Sequence, residues 1–104
     1  MYKIIAVMPC YKSSEIAPSL VKDVIQFVDK LVCVDDACPE STGKKMRKAI
    51  SSEKLEVIFH DSNKGIGGAM KTGYIYALKF KPEIILKIDS DGQMDPFLIP
   101  KLIE

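Results

Sequence analysis

The sequence predicts an α/β fold in which a parallel β-sheet is covered by helices. Four short apolar runs of strand length, rich in β-branched residues, are spaced along its 104 residues. Between these runs, apolar residues recur at helical spacing. Strands that alternate with helices are typical of βαβ units, which right-handed crossovers assemble into a parallel sheet. The length fits one domain, residues 1–104.

The first strand is predicted over residues 3–8, where an apolar run is closed by Pro9. A helix follows, because apolar residues repeat at the spacing of one helical face and Pro18 stands where a first turn tolerates proline. The residues of that face are Ala17, Leu20, Val21, Val24, Ile25 and Val28. The second strand is predicted over residues 31–34.

A short helix is predicted to begin at Ser41 or Thr42, and the third strand spans residues 55–59. The next helix has a long apolar face with the same periodicity. That face comprises Ile66, Ala69, Met70, Gly73, Tyr74, Ala77 and Leu78. The fourth strand is predicted over residues 84–88, and Pro96 begins a last helix, with Asp95 as its N-cap.

Composition excludes several classes of function. The chain is 47% hydrophobic and 28% charged, with a net charge of +1, so it lacks the basic surplus of a nucleic-acid-binding protein. No apolar run approaches the roughly 18 residues of a membrane span. The three cysteines form no CxxC pair, which disfavours a zinc site or a disulfide framework. We expect reduced thiols and a cytoplasmic location.

Unusual polar residues follow each predicted strand. The segments are PCYK after the first strand, DD after the second, HDSNKG after the third and DSDGQ after the fourth. In an open parallel sheet, ligands bind outside the carboxyl ends of the strands. The sequence therefore predicts a binding site at that edge of the sheet.

The D-x-D pair after the fourth strand indicates a metal site. Asp89 and Asp91 repel each other unless a cation lies between them or one takes a proton. Mg²⁺ typically uses one or two carboxylates together with substrate phosphates, and Gln93 offers a further neutral oxygen. The alternative is structural: Asp89 caps a turn and Asp91 begins a helix.

Four blocks carry a family resemblance: VMPCYK, VCVDDACPEST, NKGIGGAMKTGY and LKIDSDGQMDPFLIPKLI. In this order and spacing they resemble the N-terminal half of family 2 inverting glycosyltransferases, nearest to dolichyl- or polyprenyl-phosphate mannosyltransferases. The resemblance implies a Rossmann-like GT-A half-domain with four mainly parallel strands in the order 3-2-1-4. It also implies a UDP- or GDP-sugar as ligand and a divalent metal, Mg²⁺ or Mn²⁺, on the D-x-D motif.

The resemblance assigns roles to particular residues. The nucleotide-sugar contacts are Pro9 and Tyr11 against the nucleoside, Asp35 and Asp36 at the base or ribose, Lys64 near the nucleotide, and Asp89 near the ribose or metal. The metal ligands are Asp89, Asp91 and Gln93, with Asp91 as the principal one. No catalytic base can be assigned, and we expect it beyond residue 104.

The sequence departs from the family at two of these blocks. Lys12 and Ser13 stand where the family has Asn-Glu, and Ala37 and Cys38 stand where it has Gly-Ser. Family members continue for roughly another domain, which carries the acceptor site. We therefore expect this chain alone to be inactive in transfer to a polyprenyl phosphate or saccharide. The full-length protein would act at the cytoplasmic face of a membrane.

Two alternatives remain open at this stage. Haloacid dehalogenase-type phosphotransferases also have D-x-D-G after an apolar strand, although theirs follows the first strand and continues with Thr, where Gln93 stands here. The chain could instead be a non-enzymatic nucleotide-binding or assembly module. The strand order that the family resemblance implies leaves the fourth strand at an open edge, so we expect this chain to associate with itself there.

Overall fold

The computed structural model describes residues 3–12, 15–92 and 94–102. Its four strands are β1 (Ile4–Cys10), β2 (Lys30–Asp35), β3 (Leu55–Phe59) and β4 (Ile84–Lys87). Its helices are α1 (Ala17–Val24), α2 (Thr42–Ala49) and α3 (Gly65–Leu78), followed by a 3-10 turn (Pro96–Leu98) that leads into α4 (Ile99–Leu102). All strand pairs are parallel, in the order β3-β2-β1-β4. The predicted α/β fold and strand order are confirmed.

The sheet has a hydrophobic core on each face, because successive side chains of a strand point to opposite sides. Ala6 and Met8 of β1 pack with α1 and α2 on one face, whereas Ile5 and Val7 pack with α3 on the other. The core on the α1 side is the larger, and its central side chains are fully buried. Every residue of β1 and β2 is buried, as expected of central parallel strands covered on both faces.

The α3 helix lies close to the sheet because its contact face is built from small residues. Ala69, Gly73 and Ala77 are buried against β1 and β2, and a Cβ added at Gly73 would overlap a methyl group of Val7. The sequence predicted a wider apolar face. Ile66, Tyr74 and Leu78, expected to be packed, are exposed instead, because a helix this close to a sheet buries only a narrow stripe.

Pro9 does not end the first strand as predicted, since β1 continues to Cys10. The Ile88 N–H donates to the Val7 carbonyl, so the backbone groups of Val7 point towards β4. Those of Pro9, two residues on, point the same way. Because β4 ends at Lys87, no carbonyl of the β4 ladder lies opposite Pro9. A proline is therefore tolerated in a central strand, where its missing N–H would otherwise leave a gap.

The helix ends differ in part from those that the sequence predicts. Helix α1 ends at Val24, one turn earlier than the apolar periodicity indicated, although Val28 is still buried. Asp95 caps the 3-10 turn, accepting a hydrogen bond from the Phe97 N–H at 2.9 Å, as expected. The three cysteines are free thiols. Within the described residues, no helix is long and apolar enough to cross a membrane.

Candidate functional site

A cleft of about 560 Å³ opens at the carboxyl ends of β1 and β4, beside the first turn of α3. Its walls are formed by Pro9, Cys10, Tyr11, Asp36, Asn63, Gly65, Ile66, Ala69, Lys87, Asp89, Ser90 and Asp91. These residues come from the ends of strands, from the loops that follow all four strands, and from the N-terminal part of α3. This is the edge at which parallel sheets bind ligands, and it is where the sequence predicted a site.

Asp36 lies at the centre of a hydrogen-bond network in this wall. Its Oδ1 accepts from the Lys64 N–H at 2.8 Å and lies 2.7 Å from His60 Nδ1, and its Oδ2 accepts from the Gly65 N–H at 2.8 Å. Burial raises the pKa of Asp36, but the hydrogen bonds from His60, Lys64 and Gly65 outweigh it, so the pKa lies below its usual value. The carboxylate is therefore ionised at neutral pH.

Asp35, next to it, points elsewhere. Its Oδ1 accepts from the Cys38 N–H at 2.7 Å and its Oδ2 accepts from the Gly43 N–H at 2.8 Å. The side chain is buried and is not among the residues that line the cleft. Asp35 thus supports the loop between β2 and α2, at one remove from any ligand in the cleft.

The two acids act as long-range caps for two helices. Neither α2 nor α3 has a side-chain cap from its own N-cap residue or an acid in its first turn. Asp35 instead accepts from a first-turn N–H of α2, and Asp36 accepts from the N–H groups at the start of α3. A carboxylate is favourable there because helix N-termini carry unpaired N–H groups and a partial positive charge.

The loop after β1 is tied to the loop after β2 through Cys38. The Cys38 Sγ accepts from the Lys12 N–H at 3.0 Å and lies 3.1 Å from Thr42 Oγ1. Burial raises the pKa of the Cys38 thiol, but hydrogen bonds from Thr42, Lys12 and Glu40 outweigh it and lower the pKa overall. The contact holds the chain next to Tyr11. This residue lines the cleft and is 44% exposed.

Ala37 has a backbone conformation that is costly for its residue type. Its φ is +55°, in the left-handed region that favours glycine. The family pattern has Gly at this position, so the departure at Ala37 retains the turn at an energetic cost. The departure at Cys38 retains a hydrogen-bonding side chain, which links the two loops.

Asp89 and Asp91 both line the cleft, beside Lys87. Lys87 Nζ lies 3.5 Å from Asp89 Oδ1, and both side chains are about half exposed. Gln93, the third expected metal ligand, lies outside the described residues. Lys64, expected near the nucleotide, contributes its backbone N–H to Asp36 and is not among the residues lining the cleft.

Asp89 and Asp91 are the described carboxylates at this wall that could hold a divalent ion. Among the described residues, no group of three or more His, Cys, Asp or Glu side chains could hold a metal. Two carboxylates do suit Mg²⁺ or Mn²⁺ when the ligand supplies phosphate oxygens, because Mg²⁺ uses few protein ligands. Asp89 and Asp91 therefore fit an ion that is completed by a diphosphate, and do not form a closed protein cage.

Asn63 and Lys87 are two cleft residues to which the sequence assigned no individual role. Asn63 donates from Nδ2 to the Asp36 carbonyl and accepts from the Gly65 N–H, which shapes the turn before α3. Lys87 is the only cationic side chain among the described residues that line the cleft. One signal for Lys87 was present in the sequence: it stands two positions before Asp89, and alternate residues of an extended chain point the same way.

Comparisons with known proteins agree on one family. The family model described as Glycosyl transferase family 2 matches residues 5–104. An undecaprenyl-phosphate mannosyltransferase from Micrococcus luteus is 28% identical, with the match covering 98% of this chain and 43% of the relative. A UDP-N-acetylglucosamine–dolichyl-phosphate N-acetylglucosaminyltransferase from Methanococcus voltae is also 28% identical, over 94% of this chain and 45% of the relative.

The chain thus spans less than half the length of these curated relatives. A solved structure, S. aureus TarS, superposes with a TM-score of 0.74 over 97% of this chain and 31% of that protein, at 22% identity. At that identity the superposition shows the shared fold alone. The haloacid dehalogenase and non-enzymatic alternatives are not supported by these matches.

Proposed function

This chain belongs to glycosyl transferase family 2, and we propose that it is the part of an inverting glycosyltransferase that binds a nucleotide-diphosphate sugar. One observation carries the proposal. In a chain whose match to the family runs from residue 5 to 104, Tyr11, Asp36, Asp89 and Asp91 line one cleft at the carboxyl ends of the strands. We take residues 1–104 as the nucleotide-sugar-binding part of a domain of the GT-A type.

The nucleoside would lie between Tyr11 and Asp36. Tyr11 is exposed and can cover a base or ribose with its ring, with Pro9 beside it at the end of β1. Asp36 is ionised and can accept a hydrogen bond from a ring N–H or a ribose hydroxyl. Asp35 would act indirectly, through the loop that it holds.

The diphosphate would lie towards β4. Asp89 and Asp91 would hold a divalent ion, Mg²⁺ or Mn²⁺, with Gln93 as a further candidate ligand. Such an ion, when bound, neutralises the charge of the leaving diphosphate. Lys87 adds a protein cation at the same wall, 3.5 Å from Asp89, and can pair with a phosphate oxygen. Lys64 remains a candidate for contact with the outer part of the nucleotide.

The acceptor is inferred from the relatives. Two of them are described as transferring mannose to undecaprenyl phosphate or N-acetylglucosamine to dolichyl phosphate. We infer a polyprenyl phosphate or saccharide acceptor for the full-length protein, acting at the cytoplasmic face of a membrane. The catalytic base that deprotonates the acceptor would lie in the part of the relatives that this chain does not match.

Calorimetry on the 104-residue chain tests the proposal. UDP- and GDP-sugars are titrated into the protein with Mn²⁺, with Mg²⁺, and with excess chelator. We expect one of the two nucleotides to bind with a stoichiometry of one, and binding to weaken at least tenfold without metal. No sugar transfer is expected with the isolated chain. Absence of binding by either nucleotide, with or without metal, would contradict the proposed function.

A further inference from the structure

We propose that His60 is a positioning residue for nucleotide binding, which orients the Asp36 carboxylate in the cleft. The inference rests on the proposed function and extends it to a residue outside the cleft lining. His60 stands one position after β3, and its backbone N–H donates to the Asp35 carbonyl at 2.9 Å, which continues the ladder between β2 and β3. This bond fixes the backbone of His60 beside the end of β2.

Both ring nitrogens of His60 have oxygen partners. Nδ1 lies 2.7 Å from Asp36 Oδ1, and Nε2 lies 2.8 Å from Thr72 Oγ1 on α3. Because the ionised carboxylate can only accept, Nδ1 carries the proton of the first contact. The Thr72 hydroxyl donates in turn to the Gly68 carbonyl at 3.1 Å. His60 therefore connects the cleft acid to α3 through a continuous chain of hydrogen bonds.

The role of His60 follows from the hydrogen-bond acceptor positions of the Asp36 carboxylate. Each carboxylate oxygen offers about two lone-pair directions. Oδ1 of Asp36 uses both, one for His60 and one for the Lys64 N–H. Within the part of the chain that the structure describes, Oδ2 accepts only from the Gly65 N–H. One position on Oδ2 is left for a ligand that donates a hydrogen bond. The bond from His60 fixes the rotation of the carboxylate, and so fixes where that position points.

If His60 only stabilised the fold, losing either ring-nitrogen contact would have a similar effect on nucleotide binding. If His60 positions Asp36, loss of the Nδ1 contact weakens binding more than loss of the Nε2 contact. The side-chain amide nitrogen of Asn lies as many bonds from Cα as Nδ1 of His, and that of Gln as many as Nε2. His60→Asn therefore retains the donor to Asp36 and loses the contact with Thr72. His60→Gln retains the contact with Thr72 and loses the donor to Asp36. Each variant thus removes a different one of the two side-chain hydrogen bonds that His60 makes.

The first test measures nucleotide affinity and thermal stability of both variants in the 104-residue chain, using UDP and GDP with Mn²⁺. We expect His60→Asn to bind within about threefold of wild type and His60→Gln to bind about tenfold more weakly, at similar melting temperatures. Thr72→Val serves as control and should lower the melting temperature without weakening binding. Equal affinities in the two His60 variants, or losses of affinity that follow losses of stability, would overturn the proposal.

The second test needs no variant, because His60 is the only histidine of the sequence. Its ring nitrogens therefore give unique ¹⁵N signals in wild-type protein. Saturation with nucleotide should move the Nδ1 signal more than the Nε2 signal, since only Nδ1 contacts the ligand-binding carboxylate. Nucleotide that binds and leaves both signals in place would overturn the role of His60 alone. Wild-type protein that binds no nucleotide would instead overturn the proposed function, and this inference with it.

Discussion

At the scale of single residues, the acidic pair has two structural duties that its sequence does not separate. Asp35 and Asp36 are adjacent, yet one carboxylate caps α2 and the other caps the start of α3. Successive residues of an extended chain point to opposite sides, so each acid meets a different helix. Only Asp36 is left with an acceptor position at the cleft, which distinguishes the ligand-facing acid from its structural neighbour.

The low pKa of Asp36 makes the stability of the protein depend on pH. A carboxyl group whose folded-state pKa is below its unfolded value of about 3.9 stabilises the fold above that value. The contribution is lost as pH falls through the folded-state pKa. We expect Asp36→Asn to lower the free energy of unfolding by about 1–3 kcal/mol at pH 7, and the difference from wild type to shrink below about pH 4.

Urea denaturation of both proteins between pH 3 and pH 7 measures this difference, with the exposed Asp61 changed to Asn as control. The control should match wild type at every pH, because Asp61 is exposed and a surface substitution has little effect. A difference between wild type and Asp36→Asn that stays constant across the series would contradict the assignment.

The D-x-D pair provides the second prediction at this scale. Asp91→Asn should abolish the rise in melting temperature that we expect from Mn²⁺ and nucleotide together in wild type, because the proposed principal metal ligand is lost. A ligand at about 100 times its dissociation constant adds about 2.7 kcal/mol of stability, so the effect is measurable.

Differential scanning fluorimetry with and without Mn²⁺ and nucleotide measures the effect. The control variant is Glu53→Gln, which removes an exposed acid just before β3, at the opposite edge of the sheet. A ligand-induced rise that persists unchanged in Asp91→Asn would remove Asp91 from the metal site.

At the scale of elements, the position of α3 depends on the absence of side-chain atoms at one residue. A Cβ at Gly73 would overlap Val7 Cγ1, whereas a Cβ at Gly67, in the first turn of the same helix, would meet no atom within 4 Å. Both glycines lower the helix propensity of α3 by about 1 kcal/mol relative to alanine. At Gly73 the gain in helix propensity from an added Cβ is therefore opposed by a packing clash. At Gly67 only the gain in helix propensity remains.

The two substitutions should consequently have opposite signs. We expect Gly73→Ala to lower the free energy of unfolding by about 1–3 kcal/mol, because overlap forces the helix away from the sheet. Gly67→Ala should raise it by up to about 1 kcal/mol. Urea denaturation of both variants measures the pair. Stabilisation by Gly73→Ala would show that α3 does not lie against β1 as described.

At the scale of the whole molecule, the sheet ends on one side at β4. Strand β4 pairs with β1 along one edge, and no strand among the described residues pairs with its other edge. Unpaired N–H and C=O groups along such an edge favour pairing with another chain. Of the four residues of β4, only Lys87 is charged, and charge is the usual protection of an edge.

We therefore expect the 104-residue chain to associate with itself as its concentration rises. Light scattering across a concentration series measures the association, and Leu86→Lys in β4 should shift it to higher concentration. Phe59→Thr, at the end of the opposite edge strand β3, serves as control and should leave association unchanged. Wild-type protein that remains monomeric throughout the series would contradict self-association through β4.

The sequence by itself determined the strands, their alternation with helices and the edge at which the polar residues gather. These follow from periodicity and from the rule that parallel strands place their carboxyl ends together. The order of the strands and the expected ligand class came from the four family-like blocks, and the structure confirms the order. Asp95 could also be assigned correctly, because an N-cap contacts an N–H only two residues away.

Only the tertiary structure decided what the polar side chains around the cleft contact. The partners of Asp36 lie 24 to 29 residues away in the sequence, and no local pattern predicts contacts over that separation. For the same reason the sequence did not show that the backbone N–H of Lys64 supports Asp36, or that Lys87 lines the cleft. Sequence periodicity also overestimated the buried face of α3, because the width of a contact depends on how closely a helix approaches its sheet. That distance is set where Gly73 of α3 meets the side chain of Val7 on β1.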